Sequence, residues 1–139
     1  MPHYHMPLQS GSKKLLKAMR RRYDRDHYRN KVNLIKSLDP SACIGADVIV
    51  GFPGETDDDF LDTYNFIKDL DLAYLHVFSY SERDNTDAKS YQNSVPKTKR
   101  SERSKILRNL SDKKRHLFQD QYINSTREVL FESMKSGYT

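Results

Sequence analysis

The chain has 139 residues, of which 36% are hydrophobic and 31% are charged, and its mean hydropathy is −0.87. This composition is polar for a self-contained domain, so we expect a thin core or one that something else completes. The net charge of +5, from 24 basic and 19 acidic residues, points to an anionic partner only where the cations cluster. The single cysteine, Cys43, excludes an internal disulfide framework. With no apolar run of membrane-spanning length and no signal peptide in the sequence, we expect a reducing, cytoplasmic setting.

Hydrophobic periodicity predicts strands and helices in alternation. The strands are predicted at 4–8, in IGADVIVGF (44–52) and in AYLHVFSY (73–80). The helices are predicted at 13–23, over 28–38, after Thr56, and from Pro96 to about Tyr122. The predicted buried stripes of the last three helices are Tyr28, Val32, Ile35 and Leu38; then Phe60, Leu61, Tyr64, Ile67 and Leu70; then Ile106, Leu107, Leu110, Leu117, Phe118 and Tyr122. This order predicts parallel strands that are joined by right-handed crossovers.

The predicted fold class is α/β, with three parallel strands and crossover helices that form half of a (β/α) barrel or part of an open sheet. In either architecture, ligands bind at the carboxyl ends of the strands. Those ends are QSGS, GFPGET and YSERDNT, which are polar or glycine-rich and should open on the same side.

The segment GFPGET has the composition of a ligand-binding turn. Gly51 and Gly54 permit a positive φ or a close approach to a ligand, and Pro53 stiffens the turn. Backbone N–H groups ahead of the helix that Thr56 caps would suit a carboxylate or a phosphate. The alternative is a tight turn with an ordinary cap. The segment matches neither a P-loop nor a dinucleotide-binding GxGxxG loop.

Polar side chains also follow the first strand and interrupt the second. Gln9 carries donors and an acceptor, and Ser10 and Ser12 carry hydroxyls, which suit ribose hydroxyls or an amino-acid group. The alternative for these residues is a capped turn. Asp47 lies in an otherwise apolar strand, on the same face as Gly51, and a buried carboxylate there needs a partner. A structural hydrogen bond is the alternative for Asp47.

Two runs of the sequence are strongly basic, at 13–29 and at 97–115. In the second run, nine lysines and arginines accompany only Glu102 and Asp112. Basic helices with interspersed tyrosines suit an RNA backbone, and the alternative is the solvated face of an amphipathic helix.

The segments HMPLQSGSKKLLKAMRRRY, ADVIVGFPGETDDDF and YSERDNT together resemble the radical S-adenosylmethionine (SAM) methylthiotransferases, which modify tRNA adenosines or a ribosomal protein. The resemblance covers nearly the whole chain and implies strands four to six of a six-stranded partial (β/α) barrel. It implies that SAM lies near Gln9, Ser10, Ser12, Arg21, Asp47, Gly51, Phe52, Gly54 and Glu55. At the substrate end, the resemblance and the second basic run point to Tyr80, Arg83, Lys97, Lys99 and Arg100.

The resemblance also divides the chain. Residues 1–124 correspond to the C-terminal part of the radical SAM core domain, and residues 125–139 to the start of a TRAM-like β-domain. The chemistry of the family needs a CxxxCxxC set that holds a [4Fe–4S] cluster and an N-terminal domain with a second cluster. Cys43 alone cannot supply these thiolates, and the five histidines show no metal-ligand spacing. We therefore expect no metal site in this chain, and no activity without a cluster-bearing N-terminal half.

The predicted function is that of a fragment of a tRNA methylthiotransferase. The YSERDNT segment resembles the subgroup that acts on C2 of N6-threonylcarbamoyladenosine at tRNA position 37. The alternatives are the isopentenyladenosine enzymes of the same family, or a non-catalytic RNA-binding module that uses the two basic helices. Exposed strand edges would also permit self-association. The expected ligands and partners are SAM, the tRNA anticodon stem-loop and the missing N-terminal half.

Overall fold

The computed structural model describes residues 3–21, 23–81 and 94–126. The elements are β1 (His3–His5), α1 (Lys13–Ala18), α2 (Arg25–Leu38), β2 (Cys43–Val50), α3 (Asp57–Asp69), β3 (Tyr74–Ser79) and α4 (Lys97–Asp120). None of the helices in these ranges combines the length and the apolar character that are needed to cross a membrane.

The three strands form one parallel sheet in the order β1-β2-β3. His5 of β1 pairs with Gly45 of β2, which pairs with Tyr74 of β3. Beyond β1, the N–H groups of Leu8 and Gln9 still donate to the carbonyl oxygen of Asp47, at 3.1 and 2.8 Å. The predicted α/β class, with parallel strands and crossover helices, is confirmed.

The two faces of the central strand differ sharply. Its even-numbered residues, Ile44 to Val50, are at most 1% exposed and face the helices. On the opposite face, Asp47 and Ile49 are partly exposed in the described part of the chain. The nearly uninterrupted apolar run predicts cover on both faces, as is usual for parallel sheets. Here the helices cover one face completely, and the other face is more open.

The hydrophobic core lies between the sheet and helices α2, α3 and α4. Its fully buried members include Leu8, Val32, Ile44, Ile67 and Leu107. Each helix therefore contributes at least one large apolar side chain to the helix-covered face of the sheet.

The sequence pattern placed the ends and the buried sides of some helices wrongly. The exposed fractions of Leu38, Leu61, Ile106 and Leu117 are 78%, 55%, 44% and 66%, although all four lie on predicted buried stripes. On α4 the buried side instead includes the polar residues Arg100, Arg103, Ser104, Ser111 and Lys114. Among these, Arg103 binds Glu55 in the β2–α3 turn and Lys114 binds the Leu70 carbonyl oxygen after α3, an arrangement that hydrophobic periodicity does not detect.

Helix α1 is shorter than the predicted helix at 13–23. It ends at Ala18, and Arg20 then adopts a left-handed backbone with φ +57°. The chain turns back so that the Tyr23 hydroxyl donates to the carbonyl oxygens of Pro7 and Leu8, at 3.1 and 2.8 Å. This tertiary contact, rather than local propensity, ends the helix.

Some sequence predictions fall outside the described residues. Arg83 and most of YSERDNT lie there, as do 127–139, which contain nearly all of the predicted β-domain segment.

Candidate functional site

The more open face of the sheet carries a cluster of polar and aromatic side chains. His5 Nε2 lies 2.9 Å from Asp47 Oδ2. The His76 ring lies edge-on to both His5 and Tyr74, with centroids 5.4 and 5.2 Å apart. Asp47 therefore has a partner, and that partner is a titratable ring on the neighbouring strand.

The sequence analysis missed His5 and His76. A signal for them was present, because side chains in a strand alternate between faces and paired residues in parallel strands share a face. His5 pairs with Gly45, and Asp47 pairs with His76, so the register places all three side chains on one face. Strand alternation tells which residues of one strand share a face, but only the register between strands shows that His5, Asp47 and His76 are neighbours.

Gln9 and Asp47 lie side by side at the carboxyl end of β1. Gln9 has a left-handed backbone with φ +72°, and its carbonyl oxygen accepts from Ile49 N at 2.9 Å. A non-glycine residue in this region is uncommon, and such residues are concentrated at functional sites. Gly51, with φ +80°, follows directly after β2 on the same edge of the sheet.

Arg21 follows α1 and makes no side-chain hydrogen bond or ion pair among the described residues. It is exposed, and it directly follows the left-handed turn at Arg20. Burial raises the pKa of the Tyr23 phenol, and the positive charge of Arg21 lowers it by a smaller amount. The Tyr23 hydroxyl donates to the carbonyl oxygens of Pro7 and Leu8, which fastens Tyr23 to the strand end that precedes Gln9.

The hydroxyl groups of the QSGS segment are used inside the protein. Ser10 and Ser12 are 0% and 1% exposed. Ser10 Oγ lies 3.2 Å from Thr63 Oγ1, and Ser12 Oγ donates to Asp59 Oδ1 at 3.1 Å. Gly11 fits closely between them, because a Cβ there would lie 2.8 Å from Thr63 Cα. The polar joint therefore fastens the start of α1 to α3, and Gln9 is the polar residue of this segment that is left partly exposed.

Asp59 joins three elements through its carboxylate. It accepts from Ser12 Oγ and from Thr56 N at 3.0 Å, and it pairs with Lys14 Nζ at 2.8 Å. Burial alone would raise the pKa of Asp59, but the hydrogen bonds from Lys14, Thr56 and Ser12 together hold it below the usual 3.8.

Asp59→Asn is expected to lower the free energy of unfolding by about 1–2 kcal/mol at neutral pH, because it weakens the capping box of α3. Since the pKa of Asp59 is lower in the folded chain, its contribution is present above pH 3.8 and is lost as the pH falls through the folded value. The stabilities of wild type and variant in urea unfolding should therefore converge progressively as the pH falls below 3.8. Asp62→Asn, on the exposed side of the same helix, is the control and should show no such convergence. A loss for Asp59→Asn that is independent of pH would contradict the assignment.

The GFPGET turn satisfies its own backbone. Gly51 N donates to Glu55 Oε1 at 2.9 Å, and Glu55 N donates to the carbonyl oxygen of Phe52. Thr56 and Asp59 form a capping box in which each side chain accepts from the other's N–H group. These N–H groups are therefore not available to an anion, and the turn matches the tight, capped alternative. Phe52 is buried, with its ring 5.4 Å from that of Tyr80.

Glu55 is buried against helix α4. Its side chain is 1% exposed and pairs with Arg103 Nη1 at 2.8 Å. Burial raises the pKa of Glu55, although the hydrogen bonds from Gly51 N–H and Arg103 act in the opposite direction. Glu55 therefore connects the turn to α4 and does not reach the open edge of the sheet.

The basic residues that were predicted to meet the substrate have different surroundings. Lys97 and Tyr80 line a groove of about 780 Å³ at the end of β3. Arg100 also lines it, but the Arg100 guanidinium is held by the carbonyl oxygens of Val95 and Tyr80, at 2.7 and 3.0 Å. Lys99 lies away from this groove and pairs with Asp57 at 3.2 Å.

Within the described residues, no three His, Cys, Asp or Glu side chains are placed to hold a metal ion. Cys43 is half-buried, and burial raises the pKa of its thiol, which disfavours the thiolate that binds iron. One thiol of this kind does not fit a [4Fe–4S] cluster. The residues at the carboxyl edge do fit the polar parts of SAM. Gln9 and Asp47 offer amide and carboxylate groups to hydroxyls, and a Cβ at Gly54 would meet nothing within 4 Å, so the turn is open there.

Comparison with known proteins decides the family. A profile of the Radical SAM superfamily matches residues 1–67. The chain is 44% identical over 117 residues to the threonylcarbamoyladenosine tRNA methylthiotransferase MtaB of Aquifex aeolicus, a match to 84% of this chain and 28% of that protein. It is 39% identical over 132 residues to the tRNA-2-methylthio-N(6)-dimethylallyladenosine synthase of Rickettsia canadensis, a match to 95% of this chain and 30% of that protein. Over nearly its whole length, the chain is similar to the radical SAM methylthiotransferases.

The similarity is partial in length. A third relative, MtaB of Bacillus subtilis, is 42% identical to the chain. The chain spans 28% to 32% of the length of these three curated relatives. Coproporphyrinogen III oxidase (HemN) from Escherichia coli, a radical SAM enzyme, superposes on 82% of this chain with a TM-score of 0.67. The match covers 27% of HemN at 16% identity, so it establishes the fold alone. The predicted family and the partial-barrel architecture are both confirmed.

Proposed function

We propose that this chain forms one wall of the SAM site in a tRNA methylthiotransferase. The observation that carries the proposal is the strained backbone of Gln9, which lies beside Asp47 at the carboxyl edge of a sheet that has the radical SAM fold. When bound, SAM would supply the methyl group and the radical chemistry of the family.

Each residue of this wall has a task that its chemistry suits. The Asp47 carboxylate would accept hydrogen bonds from ribose hydroxyls, while His5 holds it from the neighbouring strand. The Gln9 amide would donate to or accept from the same ligand. Arg21 would meet the carboxylate of the methionine part, because a guanidinium and a carboxylate form strong paired hydrogen bonds. Gly51 and Gly54 would let the ligand approach the backbone.

The remaining residues of the predicted site support the wall from inside the protein. Ser10 and Ser12 fix the segment that carries Gln9, and Glu55 fixes the turn that carries Gly51. Phe52 packs beneath Tyr80. Because all four are buried, we propose that they position the contacting residues and do not themselves touch SAM.

The proposed substrate of the whole enzyme is N6-threonylcarbamoyladenosine at tRNA position 37, with methylthiolation at C2. The MtaB relatives, named for that nucleoside, are 42% to 44% identical, against 38% to 39% for the dimethylallyladenosine enzymes. The isopentenyladenosine derivative is therefore the second candidate. The iron–sulfur clusters would come from an N-terminal half, since the chain itself has one cysteine.

Nucleoside analysis of tRNA tests the substrate. Deleting the gene in the source organism should remove 2-methylthio-N6-threonylcarbamoyladenosine and leave its unmethylthiolated precursor. Loss of the isopentenyl derivative instead would select the second candidate. Unchanged levels of both would overturn the assignment.

SAM binding tests the wall itself. In a ¹H–¹⁵N NMR titration of the chain with SAM, the amide signals of Gln9, Asp47 and Gly54 should shift. Asp47→Asn should reduce these shifts several-fold, and Asp112→Asn, an exposed carboxylate on α4, should leave them unchanged. Shifts confined to other parts of the chain would contradict the proposal. Reconstitution with iron and sulfide should yield no 5′-deoxyadenosine, because the thiolates for a cluster are lacking.

A separate role in RNA binding is favoured by the exposed cations of α4. A third role, as an interaction module, is suggested by β1 and β3, which are the outer strands of the described sheet. Size-exclusion chromatography with light scattering distinguishes the two. A monomer that binds RNA supports the former, and a dimer that does not bind RNA supports the latter.

A further inference from the structure

Seven of the nine basic residues of α4 form two sets, which the sequence alone does not separate; Lys113 and Arg115 are exposed but do not line the groove described below. Arg100, Arg103 and Lys114 are buried and bind protein oxygen atoms, and Lys99 pairs with Asp57. Their charges stabilise the fold. A second set, Lys97, Lys105 and Arg108, is exposed and makes no hydrogen bond or ion pair within the described residues.

The exposed set lines a single groove. Lys97, Lys105 and Arg108 follow one side of α4 because their spacings of eight and three residues match the helical repeat. They extend about 16 Å along the helix axis. Together with Tyr80 they line the groove of about 780 Å³ at the end of β3, and none of the described residues that line it is acidic. Such a groove attracts an extended polyanion.

Ser104 supplies an independent sign that the groove has a ligand. Ser104 is 5% exposed and lies in the groove wall between Lys97 and Arg108. Its Oγ atom lacks a hydrogen-bond partner among the described residues. A buried hydroxyl without a partner is destabilising and rare in folded proteins, so it calls for an explanation. A phosphate oxygen bound at the groove wall is a partner of the kind that this hydroxyl lacks.

The position of the groove relates it to the SAM wall. Tyr80 N donates to the carbonyl oxygen of Val50, the last residue of β2, at 2.8 Å. The groove therefore starts at the same carboxyl edge as Gly51. The Tyr80 ring, which is partly exposed and lies 5.7 Å from the Arg100 guanidinium, is an aromatic group in the groove wall on which a base can stack.

We propose that this groove binds the sugar–phosphate backbone of single-stranded RNA, with Lys97, Lys105 and Arg108 on successive phosphates and Ser104 Oγ on a phosphate oxygen. The inference rests on the proposed function, in which the substrate is the loop of a tRNA. It extends that function by assigning a backbone site next to the reacting edge. The ligand class is a phosphodiester chain, because the groove presents cations, a hydroxyl and an aromatic ring together.

Fluorescence anisotropy of a labelled tRNA anticodon stem-loop, titrated with the chain at several salt concentrations, tests the groove. Lys105→Ala/Arg108→Ala should weaken binding by about tenfold or more and reduce the slope of log K against log salt by about 0.7 for each lost contact. Lys31→Ala/Lys113→Ala removes the same charge from exposed positions outside the groove and should leave both quantities close to wild type.

Ser104→Ala gives a second readout that does not depend on charge. It should weaken RNA binding by about threefold without changing the salt slope, while thermal stability stays equal or rises. Unchanged binding with raised stability would show that the hydroxyl is only a structural defect, and would count against the site.

The possible failures are separable. If both double variants weaken binding equally, the attraction is a general effect of charge, and the groove proposal fails while the proposed function stands. If the wild-type chain does not bind the stem-loop at all, the groove proposal fails, and the nucleoside analysis and the SAM titration still decide the proposed function. Displacement of the RNA by polyglutamate as efficiently as by polyuridylate would assign the groove to an acidic protein segment and overturn the RNA assignment.

Discussion

Replacing Arg103 with alanine is expected to lower the free energy of unfolding by about 3–5 kcal/mol at neutral pH. Arg103 donates to Glu55 Oε1 and to Asp57 Oδ1, both at 2.8 Å, and its guanidinium lies 5.6 Å from the centre of the Phe60 ring. Removing it leaves the Glu55 carboxylate buried without its cation. Since total stabilities are about 5–15 kcal/mol, the variant should be close to unfolding.

The loss in Arg103→Ala should depend on pH in a defined direction. Burial raises the pKa of Glu55 above 4.5 in the folded chain, and loss of the cation raises it further. The folded variant then binds more protons than the unfolded variant, so its stability falls as the pH rises from 4.5 through the folded value. Urea unfolding followed by circular dichroism should show a larger deficit at pH 7 than at pH 5.

Two control variants identify the cause. Lys99→Ala removes the exposed partner of Asp57 and should change stability little, because exposed ion pairs are screened by water. Glu55→Gln/Arg103→Met removes both buried charges and should recover much of the loss. A small, pH-independent effect of Arg103→Ala would show that the buried pair does not hold the turn.

Gly51→Ala is expected to lower the free energy of unfolding by about 3 kcal/mol. The left-handed backbone contributes about 1–2 kcal/mol of this loss, and overpacking contributes about 1–3 kcal/mol. Gly51 has φ +80°, and a Cβ there would lie 2.3 Å from Arg100 Cγ. The Arg100 side chain cannot easily move aside, because the carbonyl oxygens of Val95 and Tyr80 hold it.

Gly54 in the same turn provides a matched control. Its φ is +88°, but a Cβ there would meet nothing within 4 Å. Gly54→Ala should therefore cost only about 1–2 kcal/mol, the backbone part of the effect. In an Arg100→Ala background, Gly51→Ala should cost only slightly more than Gly54→Ala, since the contacts with Arg100 Cγ and Cδ are removed and only the contact with Cβ, at 3.2 Å, stays. Equal losses at the two glycines in the wild-type background would contradict the steric part of the argument.

Much of the candidate site was predictable from local sequence. Gln9, Asp47 and Gly51 follow from strand ends that are polar or glycine-rich in a parallel α/β fold, and their placement on one edge needs only the element order. The roles of the buried residues were not predictable in the same way. Ser10, Ser12 and Glu55 have the same polar character as Gln9, but packing against α3 and α4 determines that they face inward.

The sequence by itself determined the order and type of the elements, because helix caps, strand alternation and turn residues act over a few positions. The Thr56 cap with its three aspartates, and the apolar run of β2, appear in the structure where the pattern predicts them. Tertiary structure decided which of the nine cations of 97–115 are buried, where α1 ends, and that His5 meets Asp47. These outcomes depend on contacts between residues that are distant in sequence, whose energies no local pattern contains.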